Sequence, residues 1–132
     1  MKLTYPAVFS PFEDGEGYTV VVPDLPGCVT EGDTLADAIL MAEDAACGWV
    51  LDELEDGKKA PSASAPSDIH TDEGEFVSVL VLDIDSYAEK YGSKAIRKNL
   101  TIPAWLNTFG EQLNLNFSKV LQDALQEMYQ KT

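Results

Sequence analysis

The sequence predicts an α+β protein in two parts, a β-β-β-α-β domain followed by a small β-α-α module. Three observations carry this. Tyr18–Val22 (YTVVV) and Phe76–Ile84 (FVSVLVLDI) are β-branched and aromatic runs set between turn residues, the composition of strands. Between them, from Leu35, apolar residues recur every three or four positions, the spacing of one buried helical face. The charge then changes sign late in the chain. Residues 1–93 hold 20 acidic and 4 basic residues, net −16, whereas residues 94–132 hold 3 and 5, net +2, within a total of −14. Such asymmetry points to segments with separate partners. The expected division is residues 1–92 and residues 94–132, with a hinge at Gly92-Ser93 and an exposed linker over 57–74 inside the first domain.

Lys2–Phe9 is apolar and reads as a strand, but Pro6 has no N–H to give to a ladder, so an edge or an irregular pairing is expected. Ser10–Gly17 (SPFEDGEG) is turn chemistry, and Tyr18–Val22 returns antiparallel as a hairpin. Pro23–Gly27 breaks the strand, and Cys28–Glu31 offers a short third one. Thr34 is a good N-cap, with Asp37 placed to complete a capping box. Leu35, Ala38, Ile39, Ala42, Ala46, Trp49 and Val50 form the inner face of a helix that should run to about Leu54 and stop at Gly57. Lys58–Gly74 is rich in proline, serine and alanine and has no period, so it reads as an exposed connection. The nearly unbroken apolar run Phe76–Ile84 suits a central strand covered on both faces, and Ser86–Tyr91 one or two helical turns.

Cys28 and Cys47 have neither metal-ligand spacing nor the density of a disulfide framework. With no signal peptide and no apolar run near the ~20 residues of a membrane span, a cytoplasmic protein with no membrane association is expected. The two thiols lie in an acidic region, which does not favour the thiolate, and read as packing residues. His70, the single histidine, sits in the linker without a nucleophile to serve. Asp83 and Asp85 close the Phe76–Ile84 strand and, with Glu43, could hold Mg²⁺ for phosphodiester chemistry. The first strand carries no acidic residue, however, and a strand-end pair capping the next turn explains the same aspartates. The expectation is therefore no enzyme, no catalytic residue, no metal and no cofactor, with a nuclease using Asp83, Asp85 and Glu43 as a lesser alternative.

The basic module is more specific. Ile96, Leu100 and Ile102 point one way along a strand and Arg97, Asn99 and Thr101 the other, with Lys98 interrupting the apolar side. Pro103 ends the strand and opens a helix bearing Trp105, Leu106, Phe109 and Leu113. Asn116 is a plausible N-cap for a second helix with Val120, Leu121, Ala124, Leu125 and Met128 inward. A segment below ~40 residues rarely forms a core alone. Antiparallel pairing of its strand with a second copy would supply one, with Leu100, Ile102, Leu106, Phe109, Val120, Leu121 and Leu125 in the dimer core. The resulting two-stranded ribbon would present Arg97, Asn99 and Thr101 twice to a DNA major groove, where arginine reads guanine and asparagine reads adenine. The second helix N-terminus, with Asn116, Ser118 and Lys119, would hold a phosphate. A dimeric scaffold that binds no DNA is the competing reading of the same residues.

The stretches NLTIP and LNFSKVLQDAL resemble a ribbon-helix-helix domain, and YPAVF with YTVVVPDLPGCVTEGDTLADAILMAEDAA resembles the antitoxin domain of the HicB family. This resemblance implies a partial RNase H-like, non-catalytic N-terminal fold that neutralises a small basic ribonuclease toxin, HicA. It also implies a ribbon that binds the operator of the toxin–antitoxin operon and represses it, with Arg97, Asn99 and Thr101 at the base-reading positions. Lys98 falls where the family has an apolar residue. The resemblance places no toxin-contacting residue, and leaves assembly beyond the dimer open.

Overall fold

The computed structural model describes residues 1–92 and 95–131. It comprises two compact units, Lys2–Ser93, and Lys94–Thr132 together with Met1. Ser93 of the expected hinge and Lys94 at the start of the basic module lie outside the described residues.

In the first unit, β1 (Lys2–Pro11), β2 (Tyr18–Val21), β3 (Val29–Gly32) and β4 (Phe76–Asp83) form one antiparallel sheet in the order β3-β2-β1-β4. The register Tyr5↔Leu80 and Phe9↔Val20 puts these four side chains on one face, where all are buried. Helix α1 (Leu35–Glu55) covers that face through Ala38, Ala42, Ala46 and Val50, each fully buried. Three alanines one turn apart leave nothing between helix backbone and sheet but methyl groups. Leu35, expected on the inner face, remains half-exposed.

Two strand expectations are corrected. Phe76–Ile84 is not a central strand covered on both faces: β4 is at the sheet edge, and Leu80 and Leu82 are buried while Val79 and Val81 are exposed. Its unbroken apolar character comes from a second face, on which Val77, Val8, Val21 and Val29 stand in register across all the strands; Val8 is buried there, whereas Val21 and Val29 are exposed. Conversely, β1 is central despite Pro6. The β2 ladder begins only at Val8, so at Pro6 the strand has a single neighbour, β4, and the missing N–H has a flank on which it disrupts no pairing.

The helix ends follow local chemistry closely. Thr34 Oγ1 accepts from the Asp37 N–H at 3.0 Å to cap α1. At the other end the Gly57 N–H reaches the Leu54 carbonyl and the Lys58 N–H the Glu53 carbonyl, a Schellman closure with Gly57 at φ 79°. Asp83 caps the short α2 (Ile84–Tyr91) by accepting from the Ser86 N–H at 3.2 Å.

The second unit holds α3 (Ala104–Gln112) and α4 (Phe117–Gln130). Between them Asn114 takes φ 52°, and the Asn114 and Leu115 N–H groups reach the carbonyls of Glu111 and Gly110, the same Schellman pattern with asparagine in the glycine position. Residues 95–103 take neither helix nor strand. Gly110 is the only described residue of 95–131 that is buried, with the Phe117 ring so close that a Cβ at Gly110 would lie 2.5 Å from it.

The tightest approach in the first unit is at Gly32, where a Cβ would meet the Ala38 backbone nitrogen at 2.3 Å. Because the obstacle is backbone, Gly32→Ala should lower stability to urea by about 2–3 kcal/mol. Gly57→Ala meets no atom and strains only φ, so it should cost about 1 kcal/mol; equal losses would contradict close packing at Gly32.

Candidate functional site

The C-terminal unit presents its expected site residues on two sides of one segment. Lys98, Leu100 and Ile102 line a groove of about 540 Å³ against Phe117, Val120 and Leu121 of α4, whereas Arg97, Asn99 and Thr101 are exposed and do not line it. All seven expected dimer-core side chains (Leu100, Ile102, Leu106, Phe109, Val120, Leu121 and Leu125) are between 38% and 60% exposed, so the unit does not cover its own apolar face. At the start of α4, Asn116 Oδ1 accepts from the Lys119 N–H at 3.1 Å. Asn116, Ser118 and Lys119 thus share the first turn, and Lys119 also pairs with Asp123 at 3.2 Å on the exposed surface.

The residues of the nuclease alternative are not assembled. Glu43 and Asp83 face a common groove between α1 and α2, which Asp85 does not line, and Asp83 is engaged in capping α2. Among the described residues no group of three or more histidine, cysteine or carboxylate side chains is arranged to hold a metal ion. His70 is exposed in the linker, its Nε2 3.1 Å from Asp72 Oδ1. Both cysteines are free and buried. Burial pushes the Cys47 thiol up to about 11, assisted by the negative charges of Glu43, Asp44 and Asp83, while a hydrogen bond with the Asp83 backbone acts in the opposite sense.

The PDLPGC stretch is held by structural contacts. Leu25 is fully buried, the Val22 N–H donates to the Cys28 carbonyl at 3.0 Å, and Gly27 turns the loop at φ 81°. Trp49 of α1 donates its Nε1–H to the Pro26 carbonyl at 3.0 Å, fixing the loop to the helix. Asp24 receives both the N–H and the hydroxyl of Ser64, at 2.8 and 2.7 Å. The Tyr5 hydroxyl donates to the Pro61 carbonyl at 2.6 Å. Most of residues 57–74 are exposed, with Ala60 and Pro61 half-buried, and the segment is held to the sheet and the loop at these points. Sequence reading missed this clasp because its partners lie 40 and 56 positions apart, with no local pattern to join them.

These features define an acidic α+β protein whose candidate sites are uncovered surfaces. The family model described as the HicB-like antitoxin of bacterial toxin–antitoxin systems matches residues 5–117, and the chain belongs to this family. It is 34% identical over 104 residues to an uncharacterised 14.9 kDa protein of the rep–hol intergenic region of Haemophilus phage HP1, covering 79% of this chain and 76% of that protein. It is 40% identical over 60 residues to antitoxin HicB 1 of Photorhabdus laumondii, covering 46% of this chain and 38% of that one. Its fold resembles a chain of a toxin–antitoxin complex from Streptococcus pneumoniae, with a TM-score of 0.61, 28% identity, and coverage of 97% and 99% of the two chains. No helix among the described residues is long and apolar enough to cross a membrane.

The thiol shift has a definite sign. Unfolded Cys47 ionises from about pH 9 and the folded thiol only near 11, so its stabilising contribution is intact below pH 9 and is lost between 9 and 11. Urea melts across that window should show stability falling in the wild type and falling less in Cys47→Ala; parallel curves would show that the buried thiol is not the titrating group.

Proposed function

We propose that this chain is an antitoxin that binds and neutralises a small basic ribonuclease toxin of the HicA type, and represses its own operon through a C-terminal ribbon-helix-helix dimer. Family membership supports the antitoxin role. The DNA-binding role rests chiefly on one observation: the C-terminal unit leaves its apolar face uncovered, while its leading segment separates Leu100 and Ile102 from Arg97, Asn99 and Thr101. A second copy pairing antiparallel over residues 96–102 would close the apolar groove and form a two-stranded ribbon from the polar side. Dimerisation and base reading then come from one strand.

Charge shapes how such a ribbon must bind. With +2 on residues 94–132 and −16 on the preceding 93, bulk attraction to phosphate is weak, and specific contacts carry more of the affinity. Arg97 at guanine and Asn99 at adenine supply the readout, Thr101 contributes beside them, and the first turn of α4 at Asn116, Ser118 and Lys119 holds the backbone. The N-terminal unit, as a partial RNase H-like fold, serves the toxin.

The strongly acidic first domain favours one other reading, a dimeric scaffold that binds no DNA. A gel shift with the promoter upstream of the gene separates the two. The full-length dimer should retard it, and Arg97→Ala should weaken binding about tenfold or more and relax sequence preference. Sedimentation should show the same dimer mass for both proteins. Leu100→Lys should shift the mass towards monomer and abolish the retardation. A wild-type dimer that retards no promoter fragment at low salt would leave the scaffold reading standing.

A further inference from the structure

The first unit carries a groove that its own fold does not use. It is a row of three shallow hollows along α1, the first and second sharing Leu40 and the second and third sharing Tyr87 and Tyr91 of α2. Its apolar lining is made by Leu40, Met41, Val81, Tyr87 and Tyr91, and Leu40 and Tyr91 are 63% and 60% exposed. The Tyr87 and Tyr91 rings pack together with centroids 4.6 Å apart and present an aromatic wall. Tyr87 comes this close because position 48 is glycine; a Cβ there would lie 2.9 Å from its hydroxyl. Exposed leucine, methionine and tyrosine along one groove are the mark of an interaction surface.

The rim decides what that surface takes. Asp33, Asp37, Asp44, Asp52 and Glu55 follow one another at three-to-four-residue or double-turn intervals beside the floor. Glu31, Glu43 and Asp83 add to them, and Lys90 is the only cation among the described lining residues. A second copy of this chain would bring the same carboxylates against these, and nucleic acid would bring phosphates; both are repelled. A basic protein surface satisfies both parts of the groove. Lysine and arginine lay their aliphatic stems on apolar floor and put their heads at the rim, and a guanidinium stacks on a tyrosine face.

We infer that the groove along α1, closed on its second side by α2, is the docking surface for a lysine- and arginine-rich face of the toxin. This rests on the antitoxin reading and adds to it the partner-contacting residues. Leu40 and Tyr91 anchor the floor, and the α1 carboxylates set orientation and speed of encounter. Occupation of this groove covers a basic face of the partner, the kind of face by which a ribonuclease holds RNA, so neutralisation follows from docking without any chemical step.

The test uses the full chain and, as probe, the protein encoded in the reading frame beside its gene, with affinity read by calorimetry. The groove variant Asp44→Lys/Asp52→Lys should raise Kd at least tenfold. The linker variant Asp68→Lys/Glu73→Lys, which changes as much charge on exposed positions away from the groove, should change it less than threefold. Leu40→Asn, which changes no charge, should also raise Kd at least tenfold, and decides the matter if the groove charge variant melts early. Equal losses in the two charge variants would mean that bulk charge alone acts, and would overturn the inference. Unaltered affinity in the groove variants would overturn it too, leaving the antitoxin reading in place. Failure of the wild-type chain to bind the probe would instead remove that reading, and the inference with it.

Discussion

The contact between α1 and the sheet is the constraint on which the first unit depends. Gly32 and the alanines at 38, 42 and 46 let the helix backbone lie directly on the strands, and no larger side chain fits at Gly32. Once the helix is that close, its other side is fixed relative to β4 and α2, which settles the groove where Tyr87 meets Gly48. The PDLPG loop, the Trp49 bond to Pro26 and the Asp24–Ser64 clasp hold the same arrangement from the periphery. The loop is thus a set of fastenings for the helix.

The second unit works by the opposite principle. Its two helices and the segment before them bury only Gly110 among residues 95–131, leaving leucines, isoleucines and phenylalanines in contact with water. Burial of such side chains stabilises by about 1.5–3 kcal/mol each, and an order of magnitude less is at stake in any single surface ion pair of this unit, such as Lys119–Asp123. Covering these side chains would therefore outweigh any surface ion pair in its energetics.

Much of the fold was legible because it rests on local rules. The Thr34 cap, the Gly57 stop and the Asn116 cap all rest on bonds within six residues. The Asp83 cap shows how a carboxylate pair that suggests metal chemistry can be helix chemistry. Strand placement was less legible. Phe76–Ile84 reads as central since composition reports hydrophobicity but not which side is covered, and its Val77 joins a row that only the register brings together. The groove along α1 was illegible for the same reason: nothing in the sequence placed Tyr87, Tyr91 and Val81 beside the α1 acids.

By itself, then, the sequence determined the element order, the caps and stops, the division of charge and the family, all properties of neighbouring residues or of composition. Only tertiary structure decided that β4 is an edge, that Pro6 has one free flank, and that Tyr5 and Asp24 fasten the linker. It also decided that acids and aromatics line one groove. These depend on contacts between residues tens of positions apart, where chain geometry rather than local preference sets the partner.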